Sequence, residues 1–71
     1  MPKKEKPDVE ILIRIRAACE TYDIDGLDAA MADLESYEYE YGDGLAAWLR
    51  ENVDRMNYEE ITNEISLLID K

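Results

Sequence analysis

The chain has 71 residues, enough for one small domain, and its 46% hydrophobic content is typical of a globular protein. Its 18 acidic and 8 basic residues leave a formal charge of −10. Such a charge repels phosphate backbones and anionic lipid, so the composition argues against a nucleic-acid or membrane partner.

The negative charge is concentrated in the middle of the chain. No Lys or Arg lies between Ala17 and Leu49, whereas Asp and Glu recur throughout this stretch. The simpler interpretation is a solvated face that keeps the protein soluble. The functional interpretation is a docking surface for a protein partner that presents a basic surface.

The sequence contains no apolar run near the ~20 residues of a membrane span and no signal-peptide pattern, so a cytoplasmic location is expected. Cys19 is the only cysteine, which excludes an intramolecular disulfide and any zinc-binding spacing of cysteines. It lies in an apolar stripe and is expected to be a buried free thiol.

Residues 1–7 carry three lysines and two prolines. Because cations disfavour the N-terminus of a helix, these residues are expected to form a flexible lead-in or the end of a linker. Residues 8–71 are expected to form a single helical domain.

Two helical patterns occupy the N-terminal half of this domain. The first begins near Asp8 and repeats apolar residues at three- and four-residue steps. The second runs from about Gly26 to Tyr37, with Asp25 as its expected N-cap and Asp28 in its first turn.

Two further patterns occupy the C-terminal half. The third helix is expected from about Gly44 to Arg55, with Trp48 at the centre of the core. Asn57 is expected to cap the fourth helix, and Met56 before it and Ile61 after it are expected to pack as a hydrophobic staple.

These patterns predict an all-α fold of four short helices, arranged as two helical hairpins in a compact antiparallel bundle. The expected core contains ten residues: Leu12, Ile15, Leu27, Met31, Leu34, Trp48, Leu49, Val53, Ile61 and Ile65.

Between the two hairpins, Tyr37, Tyr39 and Tyr41 alternate with Glu38 and Glu40. A period of two is typical of a strand, but no second strand is evident for pairing, so a frayed helix end leading into a loop is expected. Tyrosines are enriched at binding interfaces because they bury a large area with few rotatable bonds. Tyr39 and Tyr41 therefore either complete the core or form an interface, and the sequence leaves both alternatives open.

No metal site is expected. The segment Asp23-Ile24-Asp25-Gly26 resembles part of a calcium-binding loop. If Gly26 held the sixth position of such a loop, Thr21 and Ala32 would hold the first and twelfth, where an aspartate and a bidentate glutamate are needed. Helix capping explains the same residues.

No catalytic residue or cofactor is expected either. The chain has no histidine, which removes imidazole bases, histidine ligands and phosphohistidine from consideration. Paired carboxylates remain conceivable, but a small four-helix domain offers little enclosed space for them. The chain is therefore not expected to be an enzyme.

Three segments form a distinctive combination: ACETYDID at 18–25, LESYEYE at 34–40 and WLRENVD at 48–54, followed by Tyr58 and Ile61. Together they resemble a C-terminal helical module of bacterial hybrid sensor histidine kinases, over about residues 10–67. The resemblance implies a cytoplasmic role at the end of a phosphorelay, beside the receiver and kinase domains of the parent protein. It does not imply phosphotransfer, because a histidine phosphotransfer domain needs an accepting histidine.

The predicted function is a non-catalytic docking module of a two-component sensor histidine kinase. Its candidate contact surface has eight residues: Asp25, Asp28, Asp33, Glu35, Glu38, Tyr39, Glu40 and Tyr41. Replacing Tyr39 and Tyr41 by Ala is expected to weaken partner binding and to change stability little. The alternative is a structural dimerisation or capping element of the same parent protein, closing as a homodimer.

Overall fold

A computed structural model describes residues 1–70; for residue 43 it describes the backbone alone. The helices are α1 (Val9–Thr21), α2 (Ile24–Glu35), α3 (Asp43–Asp54) and α4 (Tyr58–Ile69), and the strands are β1 (Lys3–Lys4) and β2 (Glu38–Tyr39). Helix α1 packs against α2 and α4, and α3 packs against α4. The predicted all-α fold of two helical hairpins is confirmed. None of the helices within residues 1–70 has the length and apolar character needed to cross a membrane.

The core lies between the apolar stripes of the four helices, and nine of the ten predicted core residues are buried. Trp48 is the exception, because it is only partly buried at the edge of the core. Its neighbour Leu49 is fully buried instead. Successive residues of a helix point about 100° apart, so with Leu49 facing inward Trp48 faces the side of α3. The prediction that Trp48 lies at the centre of the core is wrong.

The two hairpins turn through the same backbone motif. After α1, Tyr22 adopts a left-handed conformation (φ 54°) and the amide of Asp23 donates to the carbonyl of Ala18 at 2.9 Å. After α3, Met56 adopts the same conformation (φ 60°) and the amide of Asn57 donates to the carbonyl of Asn52 at 2.9 Å. Both are Schellman motifs, which satisfy the last carbonyls of the preceding helix.

These corners correct the predicted N-cap of α2 and the predicted side-chain contacts at the start of α4. Helix α2 begins two residues earlier than expected, and its N-cap is Asp23, whose carboxylate accepts from the amide of Gly26 at 3.0 Å. Asn57 is the N-cap residue of α4, as predicted, but its side chain makes no cap hydrogen bond and donates to Asn52 Oδ1 at 3.0 Å instead. The staple is also absent, since the left-handed turn leaves Met56 67% exposed.

The N-terminal residues supply the second strand that the sequence did not reveal. β1 pairs in parallel with β2, placing Lys3 beside Glu38 and Lys4 beside Tyr39. Amides of residues 38, 40 and 41 donate to carbonyls of residues 2, 4 and 5 at 2.7–3.0 Å. The expected frayed loop is therefore a short paired strand. Residues 1–7, which we call the strap, are held to residues 38–41 by these hydrogen bonds, and their interpretation as a flexible lead-in or the end of a linker stays a prediction.

The last residue of the strap, Pro7, lies close to Gly42. Pro7 is buried, and its Cδ lies 2.8 Å from the position that a β-carbon on Gly42 would take. Gly42 also has φ 89°, a conformation that side-chain-bearing residues rarely adopt. Position 42 thus combines a close approach with a left-handed backbone immediately before α3.

Candidate interaction surface

The eight residues of the predicted contact surface do not form one surface in the structure. Tyr39 is buried, and Asp33 and Glu35 form ion pairs with neighbouring helices. The other five are exposed: Asp25, Asp28, Glu38, Glu40 and Tyr41. The three groups have different physical roles.

Tyr39 is a core residue and not a contact residue. Its side chain is 4% exposed, and its hydroxyl donates to the backbone carbonyl of Leu34 at 2.5 Å. Leu34 lies in the last turn of α2, where carbonyls have no partner within the helix, so the tyrosine hydroxyl replaces that partner. Burial raises the pKa of Tyr39 above its usual value. Of the two alternatives that the sequence left open for Tyr39, the structure therefore places its side chain in the core.

Asp33 and Glu35 connect α2 to the helices on either side. Arg14 of α1 donates to Asp33 at 2.6 Å. Arg50 of α3 forms a two-pronged contact with Glu35, with Nε 3.0 Å from Oε2, and also donates to Asp54 at 3.1 Å. The hydrogen bonds to Glu35 raise the pKa of Arg50, which stays charged at every accessible pH. These two acids therefore have structural partners within the chain.

The five exposed residues comprise four acidic side chains and one aromatic ring that face solvent. Asp25 and Asp28 lie near the N-terminus of α2, where the helix dipole favours negative charge. Glu38 and Glu40 flank buried Tyr39, and Tyr41 is 67% exposed. Within residues 1–70, the four acids take part in no ion pair. These residues are the part of the predicted surface that is free to contact a partner.

The structure adds an apolar groove that sequence reasoning missed. It lies between the start of α3 and the end of α4, has a volume of about 450 Å³, and is lined by six residues: Gly42, Gly44, Leu45, Trp48, Glu64 and Leu68. We call it the α3/α4 groove. A second hollow of about 230 Å³ adjoins it, since both are lined by Leu45 and Leu68, and extends towards Lys6 and Val9.

A signal for this groove was present in the sequence. The run Leu67-Leu68-Ile69 makes the apolar part of α4 wider than one buried stripe requires. In the structure, Leu67 is exposed and Leu68 is 41% exposed, while the core is filled by Ile61 and Ile65. Excess apolar width at the end of a helix therefore indicated a second, open contact.

The chemistry available in the described residues is limited. No group of three or more His, Cys, Asp or Glu residues within 1–70 is placed to hold a metal ion. Cys19 is buried, as predicted, and burial raises its pKa to about 11. Since the thiolate is the reactive form, the burial and raised pKa of Cys19 disfavour its action as a nucleophile at neutral pH.

Comparison with known proteins yields no relative: no family model, no curated protein and no solved structure matches the chain. The resemblance to the kinase module therefore stays a prediction.

Proposed function

We propose that the chain is a non-catalytic helical docking module for a protein partner with a basic surface. Following the resemblance, the partner is the receiver or kinase domain of a parent two-component sensor histidine kinase. Asp25, Asp28, Glu38 and Glu40 supply the charge of the contact surface, and Tyr41 supplies its exposed aromatic ring.

The observation that supports this proposal is the imbalance between paired and unpaired charge. Each of the four arginines forms an ion pair within the chain: Arg14, Arg16, Arg50 and Arg55. The four exposed acids have no such partner among the described residues. Their field is left to act on other molecules, where it steers a cationic surface into contact and speeds association.

The test is a titration of the ¹⁵N-labelled chain with the receiver and kinase domains of the parent protein, the receiver with and without a phosphoryl mimic. We expect amide shifts near Asp25, Asp28 and residues 38–41, and weaker binding at higher ionic strength. Shifts that appear only with the phosphoryl mimic would make docking dependent on phosphorylation.

A pair of charge-matched variants controls for net charge. Asp25→Asn with Asp28→Asn removes two charges from the proposed surface, whereas Glu10→Gln with Glu59→Gln removes two exposed charges that lie outside it. We expect only the first pair to weaken binding strongly. Equal effects of both pairs, or the absence of shifts with every domain, would contradict the proposal.

The alternative function, a dimerisation or capping element, is supported by the exposed apolar side chains at the end of α4. It requires a dimer at micromolar concentration, which light scattering detects directly. A monomer under these conditions would exclude the homodimer.

A further inference from the structure

We propose that the α3/α4 groove is the anchoring site for an amphipathic helix whose polar positions carry Lys and Arg. The inference rests on the proposed function, since it assumes a basic protein partner, and it names the structure that this partner inserts. The exposed acids then attract the partner, and the groove holds its apolar side chains.

The shape and lining of the groove fit the apolar face of a helix. Leu45, Trp48 and Leu68 form its walls, and its volume of about 450 Å³ is in the range of binding pockets in proteins. The adjoining hollow continues the apolar surface past Leu68 towards Val9, which is 52% exposed. An elongated apolar surface of this kind accepts helical side chains spaced at i, i+3 or i+4, and i+7.

Charge selects a basic helix over a second copy of the chain. Glu64 lies in the wall of the groove, and Glu60 is exposed one turn earlier on α4. Among the described residues, Lys6 in the second hollow is the one basic residue in either lining. A second copy would bring a formal charge of −10 to a molecule with the same net charge. Lys and Arg beside the apolar anchors would instead face Glu64 with complementary charge.

The groove also adjoins the proposed contact surface. Gly42 lines the groove, and Tyr41 and Glu40 precede it directly in the chain. The lining of the groove is therefore continuous in the chain with two exposed residues of the proposed contact surface. This continuity places the apolar and acidic contacts within the reach of one partner segment.

Trp48 is the only tryptophan, so its fluorescence reports directly on the groove. The probe is a synthetic helical peptide of about 15 residues with leucines at i, i+3, i+4 and i+7, lysines elsewhere, and no Trp or Tyr. We expect a saturable blue shift of the Trp48 emission at micromolar peptide, which weakens as ionic strength rises. The same peptide with Glu in place of Lys should bind at least about tenfold more weakly.

Two variants with similar starting exposure identify the site. Leu68 is 41% exposed in the groove, and Ile24 is 46% exposed at the start of α2, away from it. We expect Leu68→Ser to weaken binding of the lysine peptide about tenfold or more and Ile24→Ser to leave it unchanged. Circular dichroism establishes that both variants remain folded.

Several outcomes would overturn the inference: no shift with the lysine peptide, equal binding of the glutamate peptide, or equal effects of the two variants. A dimer that Leu68→Ser dissociates would assign the groove to a second copy. If the parent domains bind the chain and Leu68→Ser does not weaken this binding, the proposed function stands and the α3/α4 groove is not the site that anchors the partner. If the peptide binds and no parent domain does, the groove stands and that assignment of the partner fails.

Discussion

Tyr39 and Tyr41 differ by two positions, yet the structure predicts opposite consequences for their replacement. Tyr39 is 4% exposed and caps the end of α2 through Leu34, whereas Tyr41 is 67% exposed. Tyr39→Phe removes the hydroxyl and leaves the carbonyl of Leu34 without this donor. An unsatisfied buried group costs about 1–3 kcal/mol, so we expect the free energy of unfolding to fall by about 1–2 kcal/mol.

Tyr39→Ala removes the ring as well. Truncating a buried aromatic residue costs about 3–5 kcal/mol. At about 0.05–0.15 kcal/mol per residue, a domain of this size has a total stability of only about 4–11 kcal/mol. We therefore expect Tyr39→Ala to remove a large part of the total stability, which reverses the sequence-based expectation that replacing Tyr39 and Tyr41 by Ala changes stability little.

Urea and thermal unfolding, each followed by far-ultraviolet circular dichroism, measure the effects of Tyr39→Phe and Tyr39→Ala. For a domain of this size, each kcal/mol corresponds to about 4–8 °C in Tm, so Tyr39→Phe should lower the Tm by about 5–15 °C. Tyr41→Phe and Tyr41→Ala are the matched controls, with expected changes within about 0.5 kcal/mol. If Tyr39→Phe behaves like Tyr41→Phe, the capping role of the Tyr39 hydroxyl is wrong.

Three other predictions follow from single positions. Met56 is exposed and has φ 60°, a conformation that glycine adopts without steric cost. Met56→Gly should therefore raise the free energy of unfolding, measured by urea titration, by up to about 1 kcal/mol. The control, Met56→Ala, should give no such gain. Gly42→Ala should lower the free energy of unfolding by about 1 kcal/mol or more, because Gly42 has φ 89° and a β-carbon there would lie 2.8 Å from Pro7 Cδ. Gly44→Ala is the control, since a β-carbon at position 44 meets no atom within 4 Å. Burial raises the pKa of the Cys19 thiol from 9.0 to about 11. Between these pH values the unfolded chain has released the proton of this thiol, whereas the folded protein still holds it. The free energy of unfolding should therefore fall as pH rises through this window. Urea titrations on both sides of the window test this, and a Cys19→Ala variant with the same pH dependence would contradict it.

The acidic residues illustrate what the sequence could and could not establish about the candidate site. The absence of cations between Ala17 and Leu49 correctly indicated an excess of negative charge in this region. It could not separate Asp33 and Glu35, which Arg14 and Arg50 neutralise, from Asp25 and Asp28, which remain unpaired. Both arginines lie on other helices, so the distinction depends on how the helices pack.

By itself, the sequence determined the four helices and nine of the ten predicted core residues, because helical periodicity is local and marks the face that each helix buries. The tertiary structure decided what covers the remaining surface. Lys3 and Lys4 of the strap pair with β2, more than thirty residues away in the chain, at buried Tyr39. The junction of α3 and α4 leaves Trp48 and Leu68 in an open groove. Contacts between distant segments leave no period in the sequence, so the burial of Tyr39 and the position of Trp48 emerge only when the helices are assembled.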